Sequence, residues 1–432
     1  MEKNEIIKSI STRTGGDIYL GVVGAVRTGK STFIKKVIET LVVPNIEDEY
    51  EKKRALDEIP QSAQGKTIMT TEPKFVPSQA ATIHIDEVEA KIRLVDCVGY
   101  VIPNAKGYED ENGPRMVKTP WYDEQIPFVE AAEIGTEKVI KDHSTIGIVV
   151  TTDGSIGELT RNDYVEAEER VVSELKEMGK PFIVILNSTH PMLPETERLS
   201  EKLTEAYEVP VLPISVENMT ERDIYNILRE ALYEFPVAEV NINMPEWIGC
   251  LSKDHWLKKI YVEKIRESVI DIDKLKDVDK IITPFQDCEY IKRAYLSDVN
   301  TETGVITLTL DCPNDLYGVV LKEIIGVDIT SKSALLSLFQ EYQIAKKEYD
   351  QVKDALAMVK QTGYGVATPT LQDMKLSTPE IIKQGSRYGV KLKAVAPSIH
   401  ITTIKMQWKY LIDGLMQEVG SHLNLFMKLK VI

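Results

Sequence analysis

The sequence predicts an α/β fold in its first half and smaller α+β domains in its second half. Three observations support this prediction: apolar strands alternate with helical segments up to about residue 235, a glycine-rich loop joins the first strand to a helix, and shorter mixed elements follow. The predicted domains are residues 1–237, 238–330 and 331–432. A chain of 432 residues is long enough for this organisation.

Composition and charge argue against several classes of protein. The chain has 52 basic and 67 acidic residues, and its net charge of −15 argues against a broad nucleic-acid surface and against direct electrostatic docking on anionic lipid. The four cysteines are scattered without a C-x-x-C pair, so we expect neither a zinc site nor a disulfide framework. No apolar run reaches transmembrane length, and the first residues lack the layout of a signal peptide. We therefore expect a cytosolic protein whose membrane contacts are peripheral.

The loop Gly24–Ser31 reads G-x-x-x-x-G-K-S, which is typical of the phosphate-binding loop of P-loop NTPases. Its glycines let successive backbone N–H groups point at phosphate oxygens, Lys30 reaches the β- and γ-phosphates, and the Ser31 hydroxyl holds Mg²⁺. A buried strand over 17–23 before the loop and a helix after it are the required context. The predicted nucleotide-binding residues are Gly24, Ala25, Val26, Arg27, Thr28, Gly29, Lys30, Ser31 and Thr32, with Gly99 and Asn187 further along.

Two later segments supply the predicted hydrolytic residues. A switch between Gln64 and Pro73 contains Thr70 and Thr71, either of which can sense the γ-phosphate and Mg²⁺. Two adjacent threonines are also typical of an ordinary strand at the edge of a sheet. The phosphate-binding loop earlier in the chain favours the interpretation as a switch. We therefore expect Thr70 and Thr71 to be catalytic and metal-binding residues. Lys30 is predicted to be catalytic as well.

The strand over 91–96 ends in the pattern D-x-x-G, formed by Asp96 and Gly99. In this position the carboxylate lies near Mg²⁺ and the glycine N–H can contact the γ-phosphate, so Asp96 is predicted as a catalytic and metal-binding residue. Tyr100 follows where Ras-like proteins have a glutamine that orients the attacking water. Slow intrinsic turnover, or help from another residue or subunit, follows from that replacement.

The base-reading loop favours ATP over GTP. Regulatory GTPases carry N/T-K-x-D after a buried strand, and here the strand over 182–186 leads into Asn187-Ser188-Thr189-His190. A neutral histidine has one acceptor and cannot make the two guanine contacts of an aspartate. Losing such a contact costs about 1–3 kcal/mol of selectivity, by analogy with base readout in DNA.

Other segments carry structural expectations only. Residues 1–16 resemble a short leader, 44–79 are polar and irregular around one helix, and 100–145 form a long insertion that is a lid, a contact surface or a structured loop with its own small core. A helix over 251–268 is predicted to bury Trp256, Ile260 and Ile265. The longest helix, 331–362, has an apolar stripe that includes Phe339 and Tyr342, and we expect it to pack in the core or, alternatively, to form an assembly interface.

Four segments together resemble the stage IV sporulation protein A family: GDIYLGVVGAVRTGKSTF, GKTIMTTEPKF, LVDCVGY and NSTHP. The resemblance extends from about residue 1 to 400 and is most specific in the first 240. It implies a P-loop domain similar in fold to translation-factor-like GTPases that hydrolyses ATP instead. Carried over to this chain, it makes Gly24 to Ser31 the nucleotide loop, Asp96 the Mg²⁺ aspartate, and Thr70 and Thr71 the sensor threonines.

The resemblance also implies a cellular role. Family members are morphogenetic ATPases that polymerise, with hydrolysis, into the base layer of the spore coat on the outer forespore membrane. It implies residence in the mother-cell cytoplasm, self-assembly, contacts with other spore-coat proteins, and recruitment by a small amphipathic membrane peptide through the C-terminal region. Residues 404–432 depart from the family pattern, with four lysines, two acids and many apolar residues, which fits a partner- or membrane-facing helix or an altered C-terminus.

Two other functions fit the same residues. One is a regulatory GTPase with an unusual base-reading loop. The other is a structural coat scaffold that binds nucleotide without meaningful turnover. Competition between ATP and GTP discriminates the first from an ATPase, and single-turnover hydrolysis discriminates the second.

Overall fold

The computed structural model describes residues 1–60, 73–102, 109–110, 113–119, 122, 124–329, 331–369 and 373–404. The chain divides into two compact units, Met1–Leu316 and Tyr317–Ile432. The α-helices are α1 (Lys3–Arg13), α2 (Lys30–Val37), α3 (Glu49–Asp57), α4 (Phe128–His143), α5 (Arg161–Met178), α6 (Pro194–Tyr207), α7 (Glu221–Tyr233), α8 (Glu246–Cys250), α9 (Trp256–Val269), α10 (Leu316–Ile325) and α11 (Lys332–Thr362). A π-helical turn (Ile38–Val42) and 3-10 segments (Val43–Asn45, Val216–Asn218, Leu275–Phe285) complete the helical structure.

The strands range from two to twelve residues. In chain order they are β1 (Asp17–Val23), β2 (Lys74–Ile85), β3 (Val88–Asp96), β4 (Glu109–Asp110), β5 (Gly113–Pro114), β6 (Met116–Val117), β7 (Ile126–Pro127), β8 (Ile146–Thr152), β9 (Phe182–Asn187), β10 (Val211–Ile214), β11 (Glu239–Asn243), β12 (Arg293–Asn300), β13 (Val305–Asp311), β14 (Tyr364–Ala367), β15 (Lys375–Leu376), β16 (Glu380–Gln384), β17 (Arg387–Lys391), β18 (Ala394–Val395) and β19 (Ile399–Thr402).

The centre of the first unit is a six-stranded sheet in the order β10-β9-β8-β1-β3-β2. Its strands are parallel except β2, which pairs antiparallel with β3 at one edge. Every residue of β8 and β9 is buried. Such strands fit a parallel sheet, because parallel sheets have helices over both faces. The predicted α/β class is confirmed, and the structure adds that the sheet is mainly parallel.

Helices cover both faces of this sheet. Val149 and Val184 lie on one face and pack in a core with residues of α4, α5 and α6, such as Ile140 and Leu175. The intervening strand residues, such as Ile148, are also fully buried, and α1 and α7 pack together and against β3 and β9. The carboxyl ends of the five parallel strands therefore open at a single edge between the helices.

Two expectations for the first unit were wrong, and one alternative for a third segment is supported. Residues 3–13 form α1, and its Ile7 and Ile10 are fully buried, so this segment belongs to the core. The second half of the supposed insertion is α4; its Val139 packs in the core of the sheet, whereas its Phe128 packs with Val117 in a small core of its own, as one alternative expected. The irregular segment contains the start of β2, a twelve-residue strand. In each case the local composition was polar enough to hide apolar residues that recur at helical or strand spacing.

A second sheet follows in the same unit. Its order is β11-β13-β12, with β11 parallel and β12 antiparallel to β13. The helix α9 beside it begins at Trp256, five residues later than predicted, because His255 accepts a hydrogen bond from the Leu257 N–H and caps it. Leu257 and Tyr261 are buried there, whereas the predicted core residues Trp256, Ile260 and Ile265 are only half-buried.

In the second unit the described residues build α11 and several two-stranded pairs. The predicted helix over 331–362 is present as α11: Ser331 caps it, and Gly363 ends it in the left-handed conformation. Its apolar stripe does not pack in a core: Phe339 and Tyr342 are 57% and 61% exposed, and only Ala355 of this helix is buried. The expectation of core packing was wrong, and the alternative of an assembly interface stays a prediction. Residues 405–432 lie outside the described part of the chain.

Candidate active site

The predicted site residues of the described chain meet at the carboxyl edge of the parallel strands. The Gly24–Ser31 loop follows β1, Asp96 ends the adjacent strand β3, and Asn187 ends β9, which lies on the other side of β1 beyond β8. Since parallel strands end at a common edge, residues more than 150 positions apart in the chain meet there. Thr70 and Thr71 lie outside the described residues, so their predicted role stays a prediction.

Two backbone hydrogen bonds fasten the loop after β3 to the glycine-rich loop. The Val26 N–H donates to the Tyr100 carbonyl at 2.9 Å, and the Tyr100 N–H donates to the Gly24 carbonyl at 3.2 Å. Gly99 has a φ of +88°, and a Cβ atom there would lie 2.4 Å from the Lys30 Nζ and 2.2 Å from the Gly24 carbonyl oxygen. Only glycine fits between these groups.

Lys30 is buried at the start of α2. Its Nζ donates to the Ala25 carbonyl at 2.6 Å and to the Gly24 carbonyl at 3.3 Å, so the ammonium lies inside the curve of the loop. Burial lowers the pKa of Lys30, while the charges of Cys97 and Asp96 act in the opposite direction. A buried cation whose hydrogen bonds go to neutral carbonyls leaves positive charge inside the loop, and this favours an anionic ligand.

Ser31 and Asp96 are in direct contact. The Ser31 Oγ donates to the Asp96 Oδ2 at 2.8 Å, and the other carboxylate oxygen, Oδ1, is buried with no hydrogen-bond partner among the described residues. Burial raises the pKa of Asp96, and Lys30, Ser31 and Lys74 partly offset that rise. The pair thus presents a hydroxyl and a carboxylate oxygen beside a buried ammonium group.

Asn187 holds two loops together. Its Nδ2 donates to the Thr28 carbonyl at 2.9 Å, and its Oδ1 accepts from the Val216 N–H at 3.1 Å. The Thr28 Oγ1 in turn donates to the Ala25 carbonyl at 3.0 Å. The Asn187 amide therefore braces the glycine-rich loop against the loop after β10, and this bracing is its visible role in the structure.

Asp153 is a residue at this edge that the sequence analysis missed. It follows β8 and accepts hydrogen bonds from the Ser155 N–H at 2.9 Å and the Ser155 Oγ at 2.6 Å. Burial by itself raises the pKa of Asp153, but hydrogen bonds from Ser155, Ser188 and Thr196 outweigh it and hold the pKa below its ordinary value. An Asp-Gly pair directly after a run of apolar residues and two threonines was the available signal. Ser188 is buried in this network, whereas the His190 side chain is exposed.

The Tyr100 side chain lies in the core beside α5. It is 2% exposed, and its hydroxyl donates to the Glu174 carboxylate on α5. The Arg170 guanidinium lies 5.1 Å from the centre of its ring. The side chain after Gly99 is therefore committed to packing and hydrogen bonding, which agrees with the expectation that it cannot orient an attacking water.

Comparisons with known proteins identify the family. Residues 1–236 match the family model "Stage IV sporulation protein A, ATPase domain", and residues 237–409 match "Stage IV sporulation protein A, middle domain". The stage IV sporulation protein A of Bacillus anthracis is 61% identical over 408 residues, covering 94% of this chain and 83% of that protein. The corresponding protein of Bacillus subtilis strain 168 is 59% identical over 411 residues, with 95% and 84% covered.

A third relative is less similar in sequence but matches over a similar length. The stage IV sporulation protein A of Clostridioides difficile strain 630 is 50% identical over 399 residues, which cover 92% of this chain and 81% of that protein. No helix in the described part of the chain combines the length and apolar character needed to cross a membrane. With two family models that together span most of the chain, and relatives at this identity, the chain belongs to the stage IV sporulation protein A family.

Proposed function

We propose that this chain binds ATP with Mg²⁺ at the Gly24–Ser31 loop, a P-loop, and couples hydrolysis to self-assembly in the base layer of the spore coat. The observation that carries the proposal is the 2.8 Å contact between the Ser31 hydroxyl and the Asp96 carboxylate beside the buried Lys30. Two segments far apart in sequence meet there in the arrangement that phosphoryl-transfer sites use. Membership of a family that has an ATPase domain supports the same nucleotide.

The residues at this contact fit a magnesium ion. Hydroxyl and carboxylate oxygens are the ligands that Mg²⁺ prefers, and the orphaned Oδ1 of Asp96 is a buried acceptor that needs a partner. A bound Mg²⁺ ion supplies positive charge that offsets the charge of the phosphates. Ser31 and Asp96 are its proposed protein ligands, and Thr70 and Thr71 are the proposed sensors.

The protein's own groups supply positioning and charge. Lys30 and the N–H groups of residues 27–32 are assigned to the phosphate oxygens, and the Gly99 N–H to the γ-phosphate. Asn187 acts by holding the loop, as its hydrogen bond to Thr28 indicates. The exposed His190 stands where a GTPase has its guanine-binding aspartate, and this supports ATP over GTP.

Assembly is the second half of the proposal. The product is a homopolymer on the outer forespore membrane, facing the mother-cell cytoplasm, with other coat proteins and a small amphipathic membrane peptide as partners. The observation in favour of self-assembly is the exposed apolar side of α11, which contains Leu336, Phe339 and Tyr342. Apolar surface of this kind in a folded domain marks an interaction site.

Sedimentation tests this function directly. The wild-type chain is incubated with ATP, GTP, ADP or a non-hydrolysable ATP analogue, and Lys30→Ala is treated in parallel. We expect sedimentable polymer with ATP only, and a ten- to hundredfold loss of ATP affinity in Lys30→Ala, since a charge-assisted contact is worth about 1.5–3 kcal/mol. Lys35→Ala, which removes a half-buried lysine of the same helix that pairs with Glu39, is the matched control and should behave as wild type.

Each alternative function gives a different result. Equal polymer with GTP, together with hydrolysis of GTP, identifies a regulatory GTPase. Equal polymer with the non-hydrolysable analogue identifies a scaffold that binds nucleotide without using its hydrolysis. Unchanged ATP affinity in Lys30→Ala contradicts the assignment of the phosphate loop itself.

A further inference from the structure

Arg27 has an unfavourable backbone conformation within the glycine-rich loop. Its φ is +64°, and among the described residues only Asp86 and Glu208 share this feature without being glycine. Asp86 lies in the turn between β2 and β3, and Glu208 caps the C-terminus of α6, where such angles are common. For an arginine the left-handed conformation costs about 1–2 kcal/mol.

The loop itself imposes this conformation. On one side the Val26 N–H is bonded to the Tyr100 carbonyl at 2.9 Å, and on the other the Thr28 carbonyl accepts from the Asn187 amide at 2.9 Å. Both neighbours of Arg27 are therefore held, and the curl of backbone that cradles an anion requires a left-handed residue between them. Glycine would meet the requirement without strain. The chain instead has an arginine there, and strain at such a position points to a use for the side chain.

The Arg27 side chain is exposed at the rim of the loop. The Arg27 guanidinium also acts on Tyr164 in the first turns of α5. Burial raises the pKa of the Tyr164 hydroxyl, and the positive charge of Arg27 partly offsets that rise. The Tyr100 side chain does not supply assistance to hydrolysis, because its hydroxyl donates to Glu174 in the core.

We propose that Arg27 is a catalytic arginine, supplied by the same chain, that contacts the γ-phosphate in the transition state of ATP hydrolysis. The inference rests on the proposed ATPase function and adds a residue to it. It explains how turnover proceeds when the residue after Gly99 cannot orient water. A guanidinium offers a planar pair of N–H donors and a permanent charge, which match the oxygens of a phosphoryl group.

The chemical step needs no further reactant. The oxygen of a water molecule forms a bond to the γ-phosphorus, and the bond from that phosphorus to the β–γ bridging oxygen breaks. The bridging oxygen keeps the electron pair and leaves with ADP, while one proton of the water stays on inorganic phosphate and the other passes to solvent. Arg27 stays protonated throughout and stabilises the negative charge that is redistributed among these oxygens.

Three variants test the proposal: Arg27→Ala, Arg27→Lys and Arg27→Gly. Arg27→Gly relieves the strained backbone, so it should be at least as stable to heat as wild type while lacking the guanidinium. Arg266→Ala, which removes an exposed arginine on α9, is the control. The measurements are ATP affinity, single-turnover hydrolysis, affinity for ADP with aluminium fluoride as a mimic of the transition state, and thermal unfolding.

We expect the Ala and Gly variants to bind ATP within about threefold of wild type but to hydrolyse it at least a hundredfold more slowly, the low end of what such arginines contribute. Tight binding of ADP with aluminium fluoride should be lost in both variants and partly kept in Arg27→Lys. Adding Lys30→Ala protein, which carries an intact Arg27 but binds ATP poorly, should not restore hydrolysis to Arg27→Ala.

Several outcomes would overturn the proposal. Unchanged hydrolysis removes Arg27 from catalysis, and a loss of ATP affinity that equals the loss of rate makes it a ground-state ligand. If the Lys30→Ala protein restores hydrolysis to Arg27→Ala, the arginine acts between chains and not within one chain. If the wild-type chain neither hydrolyses ATP nor binds the transition-state mimic, the proposed function fails together with this inference, whereas a normal wild type with normal Arg27 variants defeats this inference alone.

Discussion

The two compact units bury very different shares of their apolar side chains. In the first, every residue of β8 and β9 is buried, and helices with fully buried isoleucines and leucines cover both faces of the sheet. In the described part of the second unit, the buried apolar residues other than glycine are Val320 and Ala355. Its 31-residue helix α11 exposes most of the residues that make it amphipathic.

The comparison shows that an apolar stripe on a helix does not by itself specify which part of the protein packs against it. The stripes of α5 and α11 look alike in sequence, but α5 packs against β8 and α11 packs mainly against the short strand β14. The approach there is close, since a Cβ atom on Gly365 would lie 2.1 Å from the Ala355 carbonyl oxygen. Mutations in the first unit should therefore act on stability, and mutations along α11 should act mainly on association.

The largest expected effect is on the buried charge network of α5. Glu168 accepts from both Arg161 guanidinium nitrogens at 2.6 Å and from the Tyr207 hydroxyl at 2.6 Å, and the Thr151 hydroxyl also donates to it. Glu168→Ala should lower the free energy of unfolding by about 3–5 kcal/mol, because it leaves buried partners unpaired. Urea denaturation followed by circular dichroism measures this. The control Glu348→Ala, on the exposed surface of α11, should change it by less than about 0.5 kcal/mol.

The next effect tests whether α1 belongs to the core of the first unit. Ile10 is 0% exposed, so Ile10→Ala should cost about 2–5 kcal/mol of unfolding free energy. Ile344→Ala removes the same atoms from a side chain that is 66% exposed on α11 and should be nearly neutral. Equal costs for the two variants, again in urea denaturation, would contradict the contrast between the units.

A smaller effect is expected at the beginning of α11. Because this helix buries so little, its first turns depend on local interactions such as the hydrogen bond from the Ala334 N–H to the Ser331 Oγ at 3.1 Å. Ser331→Ala should cost about 1 kcal/mol locally, seen as roughly fivefold faster amide hydrogen exchange in those turns. Ser333→Ala, two residues into the same helix, should not speed exchange. If Ser331→Ala leaves exchange unchanged, tertiary packing rather than the cap holds this end.

The smallest effect on stability, and the most informative one on assembly, is expected for Phe339→Ala combined with Tyr342→Ala. Both side chains are exposed, so the free energy of unfolding should change by less than about 0.5 kcal/mol. If α11 contacts a second copy, the amount of ATP-dependent polymer in sedimentation should fall, and Tyr388→Ala on β17 should leave it unchanged. A loss of 2 kcal/mol or more would instead assign these residues to a packed core.

Much of the site follows from local sequence. The strand–loop–helix around Lys30, the pattern Asp96 to Gly99 and the strand before Asn187 are short-range features, and each has a spacing that its chemistry requires. The capping box of Thr160 and Asp163 is a local feature of the same kind, because capping involves residues three apart. Such features could be predicted because every atom involved belongs to one continuous segment.

Other features could not be predicted because they depend on partners distant in the chain. Nothing near Asn187 indicates that its amide braces Thr28, and nothing near Tyr100 indicates that its hydroxyl binds Glu174. The first helix was missed because three isoleucines in a polar segment are a weak signal until the sheet they cover is known.

The α/β class, the family and the residue types of the glycine-rich loop can all be predicted from short segments of the sequence, because periodicity and motif spacing are properties of such segments. Only the tertiary structure decided which of those residues meet: Ser31 with Asp96, and Tyr100 with Glu174. It also decided that Arg27 has a left-handed backbone and an exposed guanidinium, and that the stripe of α11 faces solvent. The physical reason is that burial and hydrogen bonding depend on the neighbours that a fold brings together, and a one-dimensional pattern does not specify those neighbours.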